Sequence, residues 1–247
     1  MNLLCLLARR TVTVAALLAA LVQGAAAEDG GISISRTRVI FQSTDNAQTV
    51  TLQNHGTLPY LVQSAVVATP AGREPAPFLT TPPLFRLEGN SKNAVRILRK
   101  GAAALPDDRE SVFYFTAIAV PSMAQPKEAE DASLAARISV GIQNTIKLFY
   151  RPAGLAMSQE EAAGRLTFQH HSGQVQVNNP TPYYLTFSRL AFDAADVDVS
   201  HGIMVAPFTQ ITVPASGGVR QAQWTVINDY GGNSALFKAA VQGGGKS

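Results

Sequence analysis

Hydrophobic positions along this chain recur mostly at every second residue, in short runs separated by turn residues, and this is the period of β-strands. Ile32 and Ile34 begin the series, followed by Val39 and Phe41, then Val50 and Leu52 alternating with Thr and Gln. The turn signal Asn54-His55-Gly56 leads to Tyr60–Val67, a more continuous apolar run of the kind a buried strand shows. Ala94 to Leu98 alternates with Arg96 outward, and Ser111 to Val120 is rich in aromatic and β-branched residues. A long strand is expected from Ile138 to Tyr150. About seven strands without a helical repeat predict an antiparallel sandwich for this half.

Arg151-Pro152-Ala153-Gly154 interrupts the pattern and marks a domain boundary, with 28–151 and 152–247 as the two units. Ser158 followed by Glu161 has the spacing of a capping box and predicts one short helix. Strand signals resume at Leu166–Gln169, Gln174–Val177, Tyr183–Leu190, Ile211–Val213, Val219–Ile227 and Ala235–Val241. Asn179-Pro180-Thr181-Pro182 and Tyr230-Gly231-Gly232-Asn233 are the turns among them. The second half is therefore a further all-β unit, and no internal repeat is evident. Between Pro121 and Ala135 lies a polar connection, long for a hairpin, that runs directly into the strand beginning at Ile138.

Composition changes the picture at the N-terminus. Arg9 and Arg10 precede an apolar run from Val12 to Val22 that is too short to span a bilayer, and Gly24-Ala25-Ala26-Ala27 suits signal-peptidase cleavage. Residues 1–27 are read as a removed leader, so the mature protein is expected outside the cytoplasm, without membrane insertion. Its only cysteine, Cys5, leaves with that leader, so neither domain has a disulfide and each must rest on its own core. Loss of Arg9 and Arg10 leaves 18 Lys+Arg against 17 Asp+Glu, a net charge of +1, which does not suggest nucleic acid as a partner.

Ile138, Val140 and Ile142 alternate with Ser139, Gly141 and Gln143. Two readings fit: an ordinary half-buried strand serving its own core, or a sheet edge offering apolar side chains to another chain. Catalytic chemistry finds little support. No Gly-x-Ser-x-Gly elbow, phosphate loop or other nucleophile motif is present, and Asp107-Asp108 and Glu160-Glu161 read as turn or cap residues. His170 and His171 would face opposite sides of a strand and His55 and His201 fall in turns, so no metal and no cofactor is expected.

The segment Asn144-Thr145-Ile146-Lys147-Leu148-Phe149-Tyr150-Arg151-Pro152 resembles the signature of the periplasmic pilus (fimbrial) chaperone family. Ser33 to Val39, Leu58 to Gln63, Thr81 to Leu87, Leu105 to Phe115, Asn179 to Tyr184 and Ile227 to Gly232 resemble further family segments, in order, across essentially the whole mature chain. The resemblance implies two immunoglobulin-like antiparallel β-sandwiches with a cleft between them. It implies a chaperone that lends a strand to an incomplete pilus subunit and delivers the subunit to an outer-membrane usher. On this basis Ile138, Val140 and Ile142 are the donor-strand hydrophobics, and Arg38 and Lys147 anchor the subunit's terminal carboxylate. Glu110, Arg151 and Asp229 correspond to a structural charge cluster that links the domains.

Two departures are visible: Ala65 stands where many relatives carry a bulky aromatic, and the second domain lacks a cysteine pair found in some members. The loop before the donor strand resembles the shorter type, associated with rod-like pili. An exposed apolar edge is expected to be capped by a second copy when the protein is free. The competing reading is an exported two-domain adhesin or structural module, because sandwiches of this type host unrelated functions.

Overall fold

The structure is a computed structural model that describes residues 31–101, 104–122, 140–193, 195–215 and 217–243. The expected leader, Ile138 and most of the Pro121–Ala135 connection lie outside the described residues.

Among the described residues nine strands build the first unit: β1 (Ile32–Ile34), β2 (Arg38–Gln42), β3 (Gln48–Asn54), β4 (Tyr60–Val67), β5 (Phe78–Thr81), β6 (Leu84–Leu87), β7 (Lys92–Arg99), β8 (Ser111–Pro121) and β9 (Ile142–Arg151). They form a four-stranded sheet, β1-β3-β7-β5, and a five-stranded sheet, β2-β9-β8-β4-β6. The chain changes sheets between β1 and β2. Val39, Phe41, Val50, Leu52, Val62, Val95, Ile97, Phe115 and Leu148 are fully buried between the sheets. Alternation is what fills this core, because every second side chain of each strand points inward.

After Arg151 come α1 (Gln159–Ala163) and eight more strands: β10 (Thr167–His171), β11 (Gln174–Asn178), β12 (Leu185–Phe192), β13 (Ala195–Asp196), β14 (Met204–Val205), β15 (Gln210–Pro214), β16 (Gln221–Val226) and β17 (Phe237–Gln242). One curled sheet runs β13-β12-β16-β17-β10-β11-β15, with β14 paired to β12. Its core centres on Trp224, Phe168, Phe187, Leu185 and Leu190. Ser158 caps α1 with both reciprocal bonds of a capping box. Trp224 then ties the helix to the core through Nε1, which donates to Ala163 O at 2.9 Å.

Among the described residues the sandwiches are antiparallel except at one place in each. β2 runs parallel to β9, and β10 runs parallel to β17, so an opening strand closes against the last strand of its own unit. The short strands β5, β6, β13 and β14 escape the sequence pattern because two to four residues carry too little alternation. β4, read as continuously buried, keeps one face open: Leu61 is half-exposed while Val62 is fully buried.

One device recurs at two of the expected turns. Asn54 and Asn179 are both fully buried at strand ends. Asn54 Nδ2 donates to Leu58 O and its Oδ1 accepts from Gly56 N, while Asn179 makes the same pair of bonds to Tyr183 O and Thr181 N. One side chain thereby satisfies both senses of backbone polarity in a tight, buried turn.

Candidate functional site

The site lies where the two sandwiches meet, and β9 is its spine. In Lys147-Leu148-Phe149-Tyr150-Arg151 the period of two sends Leu148 and Tyr150 into the first core. Lys147, Phe149 and Arg151 take the other face, towards the second sandwich, where each meets one of its residues.

β2 pairs in parallel with this half of β9 and places Arg38 directly beside Lys147. Arg38 is only 9 % exposed. Its Nη1 donates to Ile227 O at 3.2 Å and its guanidinium lies 5.9 Å from the Phe149 ring centroid, while Nε is buried without a hydrogen-bond partner. Lys147 Nζ donates to Thr186 Oγ1 at 3.2 Å. Among the described residues neither cation has an ion-pair partner within salt-bridge distance. Burial lowers the Arg38 pKa, with the charges of Asp229 and Glu110 pulling the other way. Burial also lowers that of Lys147, and the neighbouring Arg38 charge adds to the effect. Two cations held side by side in partly desolvated surroundings make a strong field for an anion.

Next to them, Glu110, Arg151 and Asp229 come together across the junction. Arg151 Nε donates to Glu110 Oε1 at 2.8 Å, and its two terminal nitrogens donate to Asp229 Oδ2 and Oδ1, each at 2.7 Å. Glu110 Oε2 accepts from Tyr184 N at 2.9 Å, and Glu110 N donates to Pro182 O at 2.9 Å. The Tyr183 ring lies beneath the Arg151 guanidinium, 5.0 Å away. Burial raises the Glu110 pKa against the lowering influence of Arg151, because its carboxylate is almost wholly removed from water. Burial opposes the charge on Arg151, but the bidentate bond to Asp229 and the carboxylate of Glu110 outweigh it and raise the Arg151 pKa. Arg109 stacks over Phe208 at 4.9 Å as a further contact between the units.

Upstream, β9 is a different object. β2 covers only Lys147 to Arg151, so the stretch Ile142–Ile146 pairs with β8 on one side and has no paired strand on the other among the described residues. Asn144 Nδ2 donating to Ile32 O at 3.1 Å is a side-chain contact with β1 there, not a ladder bond. Ile142 opens the strand and is half-buried. Val140 precedes it, outside regular structure and 70 % exposed. The long strand expected from Ile138 is therefore shorter at its start, and Ile138 falls outside the described residues.

Thr186, the Ile227 carbonyl, Phe149, Tyr183 and Tyr184 were not singled out by residue type. Only Phe149 had a usable signal, since it shares the period-two face of Lys147 and Arg151. The others reach the site from the second sandwich, and nothing local in their sequence shows which residues of β9 they will meet.

A family model described as pili and flagellar-assembly chaperone, PapD N-terminal domain, matches residues 31–156. Another, pili assembly chaperone PapD, C-terminal domain, matches residues 161–238. The probable fimbrial chaperone LpfB of Escherichia coli O157:H7 is 33% identical over 214 residues, which cover 86% of this chain and 89% of that protein. Chaperone protein FimC of Escherichia coli K12 is 35% identical over 206 residues, covering 82% of this chain and 81% of the relative. Among solved structures, the SafB chaperone in complex with the Salmonella enterica SafA pilin is similar at TM-score 0.75 and 31% identity, over 85% of this chain and 96% of that one. The E. coli chaperone DraB is similar at TM-score 0.73 and 32% identity, over 86% and 97%. With two sandwiches joined in this way and both halves matched in order, the chain belongs to the PapD-type family of pilus-assembly chaperones.

Proposed function

We propose that this protein is a periplasmic chaperone that holds pilus subunits by donor-strand complementation and delivers them to an outer-membrane usher. The observation that carries the reading is the coincidence at one point of β9. The open edge of Ile142–Ile146 ends where Arg38 and Lys147 stand without an ion-pair partner in direct contact among the described residues. A subunit's terminal carboxylate seated on the two cations would start its last strand beside that edge. Backbone ladder bonds then supply affinity that depends little on sequence, and Val140 and Ile142, with Ile138 before them, fill the subunit's open groove. The carboxylate fixes where pairing begins and so sets the register, since a slip of one residue would turn every side chain to the wrong face. The Glu110–Arg151–Asp229 cluster holds the angle of the cleft, with the division between the domains at Arg151–Pro152. The work is binding, which needs no chemical step. In this reading residues 1–27 are removed at export, and a second copy covers the edge when no subunit is bound.

The test is copurification from the periplasm of the native host, comparing the tagged protein with an Arg38→Ala/Lys147→Ala variant after circular dichroism shows that both fold. Each charge-assisted bond is worth about 1.5–3 kcal/mol, so the double variant is expected to lose subunits roughly a hundredfold or more. Equal recovery by both would remove the anchor assignment. Absence of subunits from the wild type, with subunits expressed, would overturn the chaperone reading in favour of an adhesin or structural module. Concentration-dependent sedimentation tests the capping: a monomer at all concentrations would exclude it.

A further inference from the structure

The registers of the five-stranded sheet place a third polar side chain in line with the two cations. Arg38 on β2 stands opposite Lys147 on β9, and Lys147 stands opposite Tyr114 on β8. Opposed residues on neighbouring strands point to the same face and lie about 5 Å apart, so Arg38, Lys147 and Tyr114 form one row across three strands. That face is the cleft face, because Lys147 reaches Thr186 and Phe149 reaches Tyr184 from it. Tyr114 is only partly buried, and among the described residues its hydroxyl makes no hydrogen bond. Burial raises its pKa, so at neutral pH the phenol keeps its proton and remains a donor.

We infer that the anchor has three arms, with the Tyr114 hydroxyl donating a hydrogen bond to the bound terminal carboxylate beside Lys147. This rests on the reading of Arg38 and Lys147 as a carboxylate anchor. Arg38 and Lys147 are each also committed to the protein, Arg38 to Ile227 O and Lys147 to Thr186 Oγ1, so a donor from the third strand can share a carboxylate's two oxygens with them. A neutral donor at the end of the row joins that coordination without adding a third buried positive charge. It also makes the site selective for an oxyanion over a neutral chain end, since a hydroxyl bond to an ionised acceptor is the stronger one. Tyr114 is thus assigned as a specificity-determining residue that touches the ligand.

The experiment separates this role from a structural one by changing the ligand's chemistry. A fluorescein-labelled peptide of alternating valine and threonine is made as the C-terminal acid and as the C-terminal amide, and fluorescence anisotropy gives Kd for each with the wild type and Tyr114→Phe. The expected result is a wild-type preference for the acid that shrinks about tenfold in Tyr114→Phe, with affinity for the amide unchanged. Equal weakening for acid and amide would overturn the inference, since the ring's environment and not the hydroxyl bond would then be responsible. An undiminished acid preference in Tyr114→Phe would overturn it as well, while leaving Arg38 and Lys147 in place. No acid preference even in the wild type would remove the anchor reading and this inference with it. Thermal unfolding of Tyr114→Phe, expected to match the wild type, checks that the change is local.

Discussion

Ile142 to Ile146 and Lys147 to Arg151 are successive halves of one strand, and β8 pairs with both. The downstream half is enclosed. β2 covers its other side, Leu148 is fully buried in the first core, and Arg151 is locked between two carboxylates. The upstream half has the same backbone chemistry and a similar alternation, yet among the described residues its other side carries no ladder, and Val140 leading into it is exposed. The difference teaches that a single strand can be structural at one end and adhesive at the other. What divides the two is where the neighbouring strand begins, at Arg38. An open apolar edge is normally blunted because it invites association. Here the fold stops its own pairing at Arg38 and Lys147, the two cations proposed to hold a ligand's charged end.

Changes in the enclosed half are expected to act on folding and changes in the open half on binding. The largest effect should come from Arg151→Ala, which strands the Glu110 carboxylate in a buried site. A loss of about 3–5 kcal/mol in urea unfolding is expected, and a loss below about 1 kcal/mol would show that the junction is not a cooperative part of the fold. Leu148→Ala should follow, costing about 2–5 kcal/mol through a cavity in the first core, with subunit binding per folded molecule preserved. If that binding falls while stability holds, the division of the strand is wrong.

Truncation in the open half should give the opposite signature. Val140→Ala and Ile142→Ala are expected to leave the unfolding midpoint nearly unchanged. Each should weaken subunit capture by up to roughly 1.5–3 kcal/mol, read as faster dissociation by surface plasmon resonance. Destabilisation comparable to Leu148→Ala would mean these side chains serve their own core.

The smallest effect concerns pH. Because burial raises the folded-state pKa of Glu110, the folded protein binds that proton more tightly than the unfolded chain does. Its contribution to stability is then complete below the ordinary carboxyl value of about 4.3 and fades as pH rises through the raised value. Glu110→Gln cannot titrate, so the wild type should gain stability relative to this variant as pH falls from neutrality towards that value. Urea midpoints across this range that stay parallel would show that ion pairing with Arg151 cancels the burial effect.

Much of this organisation was readable beforehand, and the exceptions are instructive. The capping box at Ser158 is a contact between residues three apart, so its spacing suffices to place α1. Val39, Val50 and Leu52 announced their burial by alternation, because a sheet with one face on a core imposes that period locally. Arg38 and Lys147 stand out in the sequence only through resemblance to a family. By composition alone they are ordinary cations, and only the parallel register of β2 and β9 makes them neighbours. The row that adds Tyr114 was not visible at all, since its three members are 33 to 109 positions apart and meet through two separate strand pairings.

What this sequence determined by itself is everything carried by near neighbours in the chain: the strand period, the turns, the helix cap and the division into two all-β units. Tertiary structure decided the rest. It settled which strand stops beside which, that Thr186 and Ile227 O become the partners of the two cations, and that Glu110 and Asp229 share one guanidinium across the junction. The reason is physical. Periodicity records which way a side chain points, whereas the charge, burial and free hydrogen-bonding capacity of a site depend on which distant residues arrive opposite it. That is set by the packing of two sheets and a second domain, not by any local window of sequence.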